Sequence, residues 1–201
     1  MINREFEVQR LTMAFYAEFI ERLKTIYAAM DQAYCDAAKN YDFSCDGCPD
    51  NCCRSCFYHH TFIEHAYLVE GLETLTIKKQ REIKLRAMDV VARTSDCAAG
   101  KEVIRLMCPL NFDERCILYP YRPMICRLHG IPHELKKPGQ NTLFGPGCQT
   151  FDQRCGRKSY MSFDRTPFYR ELAKLEQEIK QTLGIRQKFR RTVAEMILTD
   201  I

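Results

Sequence analysis

Apolar side chains recur at helical spacing through the first forty residues. The positions advance mostly by steps of three and four, which places on one face of a helix Leu11, Phe15, Phe19, Leu23, Ile26, Met30, Ala33 and Ala37. Residues 1–46 contain neither glycine nor proline, so nothing interrupts a long helix over about residues 4–39. Because only one face is apolar, this helix needs a partner to pack against.

The C-terminal part shows the same period. Thr166 followed by proline is typical of a helix start, since proline is tolerated at the first helical position. One face then carries Phe168, Leu172, Leu175, Ile179 and Leu183. Gly184 is predicted to end this helix. A last helix is predicted from about residue 186 to 198, with Phe189, Val193 and Ile197 inward. These C-terminal helices, about residues 166–199, are the expected partners of the first.

Two more helices are predicted in the middle of the chain. The first carries the apolar positions Phe62, Ala66, Val69, Leu72 and Leu75. The second is more charged and spans about residues 76–93, with an inward face of Ile77, Leu85, Met88 and Val91. The pattern as a whole predicts a mainly α, bundle-like fold.

Two regions break the helical pattern, at residues 45–56 and 108–155. They are rich in cysteine, glycine, proline and asparagine, a composition typical of loops. Two or three short strands are expected in the second region, too short to bury a core unaided. We therefore predict one domain, residues 1–201, in which the N- and C-terminal helices hold the two cysteine-rich regions together so that they converge on a metal site.

Composition limits the class of protein. The chain has 201 residues, of which 46% are hydrophobic and 28% charged, as expected for a globular domain. We find no signal peptide and no apolar run long enough for a membrane helix, so we expect a cytoplasmic protein with no membrane partner. A formal charge of +4 is too small to favour nucleic acid. Twelve cysteines, expected to be reduced in the cytoplasm, indicate metal or redox chemistry.

The first cysteine group has the spacing C-x2-C-x3-C-C, formed by Cys45, Cys48, Cys52 and Cys53. Cysteines two residues apart on a loop can turn their thiolates onto one metal ion, as in structural zinc and iron–sulfur sites. Because adjacent cysteines tend to point apart, the pair at the end of this motif indicates two metals or a multinuclear cluster.

The second group has the spacing C-x7-C-x2-Y-x2-R-P-x2-C-R and contains Cys108, Cys116 and Cys126. Its two arginines, Arg122 and Arg127, are candidates for positive charge beside an anionic thiolate site. Cys148 follows in a Gly-Pro-Gly-Cys turn, where no packing role is obvious, and is a further candidate ligand.

Together these motifs resemble the zinc- or iron-chelating cysteine-cluster family, also called the YkgJ-like or CxxCxxCC family. The resemblance covers under half of the chain. It implies metal ligation by Cys45, Cys48, Cys52, Cys53, Cys108, Cys116 and Cys126. In one respect the chain departs from the family, because three residues separate Cys48 from Cys52 where the family pattern has two.

The expected cofactor is an iron–sulfur cluster or zinc, since four-thiolate sites suit both. Because nearly all of the candidate ligands are cysteines, an iron–sulfur cluster is favoured over zinc. The predicted role is electron transfer, metal handling or structure, and a protein partner is left open. The alternative is a metal- or Fe–S-dependent enzyme with its cluster at a substrate pocket, for redox or group transfer. A third hypothesis is a redox switch.

Other cysteines and the histidines receive different interpretations. Cys35 and Cys97 are predicted to lie in the core, and Cys56 and Cys155 are left open. Lone histidines are more often structural than ligands, and this is the expectation for His59, His60 and His65.

Overall fold

A computed structural model describes residues 2–45, 52–98 and 106–199, with side chains described over 16–45, 52–94 and 106–199. Within these ranges the fold is mainly helical, as predicted. The helices are α1 (Ile2–Asn40), α2 (Phe62–Glu73), α3 (Ile77–Ala98), α4 (Met124–Leu128), α5 (Gln149–Cys155), α6 (Thr166–Leu183) and α7 (Val193–Leu198). Short 3₁₀ turns lie at Cys52–Arg54 and Tyr119–Tyr121.

The long first helix packs against α6, which confirms the predicted pairing of the N- and C-terminal helices. The buried positions of α1 include Leu23 and Met30, and they meet Leu175 and Ile179 of α6 in one apolar cluster. Helix α4 and helix α2 also pack on α1. Helix α6 ends as predicted at Gly184, which adopts a left-handed φ of 66° that favours glycine.

The predicted inward face of α3 is confirmed at Val91, which packs against an apolar cluster, and is wrong at its other three positions. Leu85 and Met88 are exposed, as is Ile77, whereas Ile83 and Ala87 are fully buried. Helix α3 packs mainly on α7 and contributes to a second apolar cluster. Ile83 and Ala87 are four positions apart and share the packed face, whereas Leu85 and Met88 lie on other sides of the helix.

The last helix is shorter than predicted. It begins at Val193 because Thr192 and Glu195 form a reciprocal capping box, in which each side chain bonds the other residue's backbone N–H. The chain before it is extended, and Arg191 pairs with His59 through two backbone hydrogen bonds of 2.7 and 3.0 Å. This pairing draws the C-terminal segment onto the start of α2.

Four short strands form two antiparallel hairpins: β1 (Asn111–Phe112) with β2 (Arg115–Cys116), and β3 (His133–Leu135) with β4 (Leu143–Gly145). The turn between β1 and β2 has positive φ at Asp113 and Glu114, as two-residue hairpin turns require. In the described ranges, no helix is both long and apolar enough to cross a membrane.

Candidate metal centre

Six cysteines line one cavity of about 300 Å³, here called the thiol cavity: Cys52, Cys53, Cys56, Cys108, Cys116 and Cys126. They come from distant parts of the chain. The first 3₁₀ turn carries two of them, β2 carries another and α4 a fourth. Five of the six belong to the two motifs singled out in the sequence.

The two cysteine-rich regions are joined by a backbone hydrogen bond. The Cys108 N–H donates to the carbonyl oxygen of Cys53 over 2.7 Å, and the Asn111 N–H donates in turn to the Cys108 carbonyl over 3.0 Å. Cys108 thereby lies between the 3₁₀ turn and the start of the first hairpin. Residues more than fifty positions apart in sequence meet at this point.

Cys53 is the most acidic thiol of the group. Hydrogen bonds donated by the thiols of Cys108 and Cys52 hold the pKa of Cys53 well below its usual range. The same hydrogen bonds, followed by burial, raise the pKa of both donors. These opposite pKa shifts favour a thiolate at Cys53 beside neutral thiols at Cys52 and Cys108.

The other thiols are held neutral by burial, which raises the pKa of Cys116 to about 11 and that of Cys126 well above its usual range. Arg122 acts in the opposite direction on both. Its guanidinium lines the cavity, donates to the Tyr119 carbonyl over 3.0 Å and lies 3.4 Å from the centre of the Tyr119 ring. Arg122 is thus placed to compensate negative charge on the thiols.

Arg127, the other arginine singled out by sequence, lies outside the lining of the thiol cavity and has a different contact set. Its guanidinium donates to the Asp31 carboxylate over 2.5 Å, to the Arg122 carbonyl over 2.7 Å and to the carbonyl of Pro120. It also lies 4.0 Å from the centre of the Tyr27 ring. These contacts join α4, which also carries Cys126, to helix α1 and to the loop that carries Arg122.

Cys45 and Cys148 lie outside the lining of the thiol cavity. The Tyr34 hydroxyl is 3.5 Å from Cys45 Sγ, and burial raises the Tyr34 pKa with further contributions from both cysteines. The backbone N–H of Cys148 donates to Gly130, and a Cβ at Gly130 would lie 3.6 Å from Cys45 Sγ. The structure thus brings these two predicted ligands to the same neighbourhood. The predicted ligand Cys48 lies outside the described residues.

The remaining cysteines differ in burial. Cys35 is exposed on α1, so its predicted place in the core is wrong. It follows buried Met30 by five residues, which turns it away from the packed face. Cys155 is a core residue whose thiol donates to the Tyr41 carbonyl over 3.4 Å. The side chain of Cys97 lies outside the described ones, and Cys56 is exposed at the edge of the thiol cavity.

A second and larger cavity, of about 1080 Å³, lies between α2, α4 and α6 and is here called the large cavity. His59 lines both cavities. It is 1% exposed, and neither ring nitrogen has a hydrogen-bond partner among the described residues. Burial lowers the pKa of His59, which favours the neutral ring. Sequence reasoning missed this position, because nothing in its spacing separates it from its exposed neighbour His60.

Glu64 is a second buried residue that sequence reasoning missed. Its carboxylate accepts hydrogen bonds from the Tyr27 hydroxyl at 3.1 Å, the Thr61 hydroxyl at 2.7 Å and the Met124 backbone N–H at 2.7 Å. It therefore joins α1, α2 and α4 at the wall of the large cavity. The Thr-x-x-Glu spacing before an apolar run is a helix-start signal that could have identified it.

No three His, Cys, Asp or Glu side chains in the described ranges already lie in an arrangement that could hold a metal ion. Metal binding would therefore require the thiols to exchange their mutual hydrogen bonds for bonds to the metal. Comparison with known proteins adds no relative, since no family model, no curated protein and no solved structure matches this chain.

Proposed function

We propose that this protein binds an iron–sulfur cluster or zinc through the thiolates of Cys52, Cys53, Cys108, Cys116 and Cys126, and serves electron transfer, metal handling or structure. One observation carries the proposal: the cysteines of two separate sequence motifs line a single cavity. Thiols that merely filled a core would have no reason to gather from four segments of the chain around an open space.

The surroundings of the cavity fit an anionic metal–thiolate group. Cys53 already has a depressed pKa, and the Arg122 guanidinium lowers the pKa of several of the thiols. The buried Asn111 side-chain nitrogen makes no ordinary hydrogen bond within the described residues and lies near enough to Cys53 to help lower its pKa. Such donors stabilise the sulfurs of a bound cluster.

The size of the cavity favours a polynuclear group. Its volume is about 300 Å³, whereas one water molecule occupies about 30 Å³ of liquid. A tetrahedral zinc site closed by four thiolates needs no comparable space. An iron–sulfur cluster, which holds several iron and sulfide atoms, makes better use of five thiols and of this volume.

Cys45 and Cys148 remain proposed ligands, now of a second site beside Tyr34. Their position away from the thiol cavity supports the interpretation of the cysteines as two sets. The family resemblance assigns Cys48 to the same chemistry. A cytoplasmic location, where thiols stay reduced, is part of the proposal.

Anaerobic purification with counts of iron, zinc and acid-labile sulfide tests the proposal. We expect stoichiometric metal, a large loss of metal in Cys108→Ser and Cys126→Ser, and no loss in Cys35→Ser, a matched change at an exposed cysteine. Retention of sulfide with iron identifies a cluster, and zinc without sulfide identifies a zinc site. A protein that binds neither metal in stoichiometric amount would reject the proposal.

A second candidate function is an enzyme in which the metal group adjoins a substrate pocket. The observation that favours it is the shared wall formed by His59 between the thiol cavity and the large cavity. If the two cavities act together, His59→Leu should change the absorption spectrum or the reduction potential of the metal-loaded protein, and His60→Leu should not. Equal spectra and potentials for wild type and both variants would argue for the binding role alone.

A further inference from the structure

The large cavity has the size and wall composition of a small-molecule site. Its volume of about 1080 Å³ is at the upper end of the range for ligand pockets. The wall includes a set of apolar and aromatic side chains: Tyr58, Met124, Ile125, Tyr169, Leu172 and Ile185. A ligand bound here would bury an apolar body.

Three cations line the same cavity. Lys137, Lys180 and Arg186 form no ion pair with any carboxylate among the described residues. Lys180 lies 5.5 Å from the centre of the Phe62 ring, which holds its ammonium at the cavity. The cations come from the β3–β4 hairpin, from α6 and from the segment after Gly184, so they converge on the cavity from separate elements.

The two carboxylates of the wall do not neutralise these cations. Glu64 is occupied by its three internal hydrogen bonds. Glu176 uses one oxygen to accept the Phe62 and Ile63 N–H groups at 2.9 and 3.3 Å, at the start of α2. Burial raises the pKa of Glu176, and Lys180 acts in the opposite direction. Because three cations face two carboxylates, the wall carries a net positive charge.

We propose that the large cavity binds a small organic anion, with its acidic group against Lys180 and Arg186 and its apolar part against the wall formed by α4 and α6. His59 separates this ligand from the thiol cavity, and its unpartnered ring nitrogens lie in the wall between them. The inference does not depend on metal at the cysteines, since the cavity and its charges lie outside the thiol cavity.

A pair of fluorescent probes that differ only in charge tests the proposal. 8-Anilinonaphthalene-1-sulfonate carries a sulfonate on an apolar aromatic body, and N-phenyl-1-naphthylamine has the same body without it. We expect one sulfonate probe per chain, bound several-fold more tightly than the neutral probe. The double variant Lys180→Gln/Arg186→Gln should weaken the sulfonate about three- to tenfold and leave the neutral probe unchanged, as expected for two partly exposed charges.

A matched control removes the same net charge elsewhere. Lys78→Gln/Lys84→Gln changes two exposed lysines of α3 outside the cavity and should leave both affinities unchanged. Ala173→Trp, at an exposed α6 position that lines the cavity, should block both probes while circular dichroism shows an unchanged helix content. Equal affinity for the two probes, an equal loss in the α3 control, or sulfonate binding that persists in folded Ala173→Trp would each overturn the proposal.

Discussion

The backbone N–H of Cys108 donates to the carbonyl oxygen of Cys53 over 2.7 Å, and this contact joins the two cysteine motifs of the chain. The Cys53 thiol in turn accepts from the thiol of Cys108 and becomes more acidic. A main-chain contact and a side-chain contact thus link the same two residues. Residues of α3 and α7 line the thiol cavity beside these two motifs.

Arg127 is predicted to position the second motif rather than to contact metal. Arg127→Met removes the Asp31 ion pair and leaves two backbone carbonyls without their donor. Because the guanidinium is buried, we expect a loss of about 2–4 kcal/mol in the free energy of unfolding. Urea denaturation measures this loss. Arg93→Met, which breaks an exposed ion pair with Asp89, should cost less than about 1 kcal/mol; equal losses for the two variants would contradict this role.

Gly130 is predicted to tolerate no side chain. Its φ is 121°, and a Cβ would lie 2.7 Å from the Tyr34 hydroxyl and near Cys45. We expect Gly130→Ala to lower the free energy of unfolding by about 2–3 kcal/mol, through strain and through displacement of Tyr34. Gly139→Ala is the matched control, because Gly139 also has positive φ but open space around it. The difference between the two variants, measured by urea denaturation, reports the contact with Tyr34 together with the greater strain at φ 121° than at 68°, and no difference would contradict the prediction.

Ionisation of Glu176 is predicted to lower the free energy of unfolding as the pH rises above 4.5, the ordinary pKa of a glutamate. Burial raises the pKa of Glu176 above 4.5, so the unfolded chain ionises first as the pH rises. Wild type therefore loses stability from pH 4.5 up through the raised pKa, and keeps this penalty at higher pH.

The variant Glu176→Gln cannot ionise at this position and should lack that loss. Between pH 4.5 and pH 7, the free energy of unfolding of Glu176→Gln should therefore fall less than that of wild type. Urea denaturation from pH 4.5 to 8 measures the difference, and Glu171→Gln on the exposed side of α6 is the control. Parallel pH profiles for wild type and Glu176→Gln would show that the carboxyl carries no burial penalty.

His133 is predicted to make the protein sensitive to acid. Burial, with a further effect of the nearby Arg165, lowers the pKa of His133 from 6.5 to about 4. As pH falls below 6.5 the unfolded chain takes up a proton that the folded chain resists until about pH 4, so stability is lost over this window. Because His133 is half-exposed, solvent screening limits this loss in the free energy of unfolding to about 1 kcal/mol.

His133→Gln should therefore lose less stability than wild type between pH 6.5 and 4, as measured by thermal or urea unfolding. The ring of His133 packs directly on Gly145, where a Cβ would lie 2.1 Å from it, so the variant also needs comparison at pH 7.5 to subtract the packing effect. His60→Gln, at an exposed position, is the control. An acid response of His133→Gln identical to wild type would refute the prediction.

The two long helices could be predicted because the signals that specify them lie among neighbouring residues. In α1 and α6 the apolar period, the absence of breakers and the Thr166 and Gly184 boundaries all agree, and the structure confirms the two helices and their pairing. Short-range patterns also predicted a few short strands in the second cysteine-rich region. The last helix was predicted to start at about residue 186, whereas the capping box at Thr192 makes α7 start at Val193.

The face of a helix that becomes buried was harder to predict from the sequence. Helix α3 has two competing apolar stripes, and its contact with α7 selected the one with Ile83 and Ala87. Cys35 was assigned to the core from residue type alone and lies in solvent. In both cases the packing of the helices decided which side chains are buried, and residue type alone did not predict it.

By itself the sequence determined the mainly helical class, the two helices that carry the bundle and the cysteines worth examining, because helix period and cysteine spacing are properties of neighbouring residues. Only the tertiary structure decided that Cys53 meets Cys108, that Cys45 lies instead beside Tyr34, and that buried His59 lies between two cavities. Those relationships depend on how helices far apart in the chain pack against one another, and no local pattern specifies that packing.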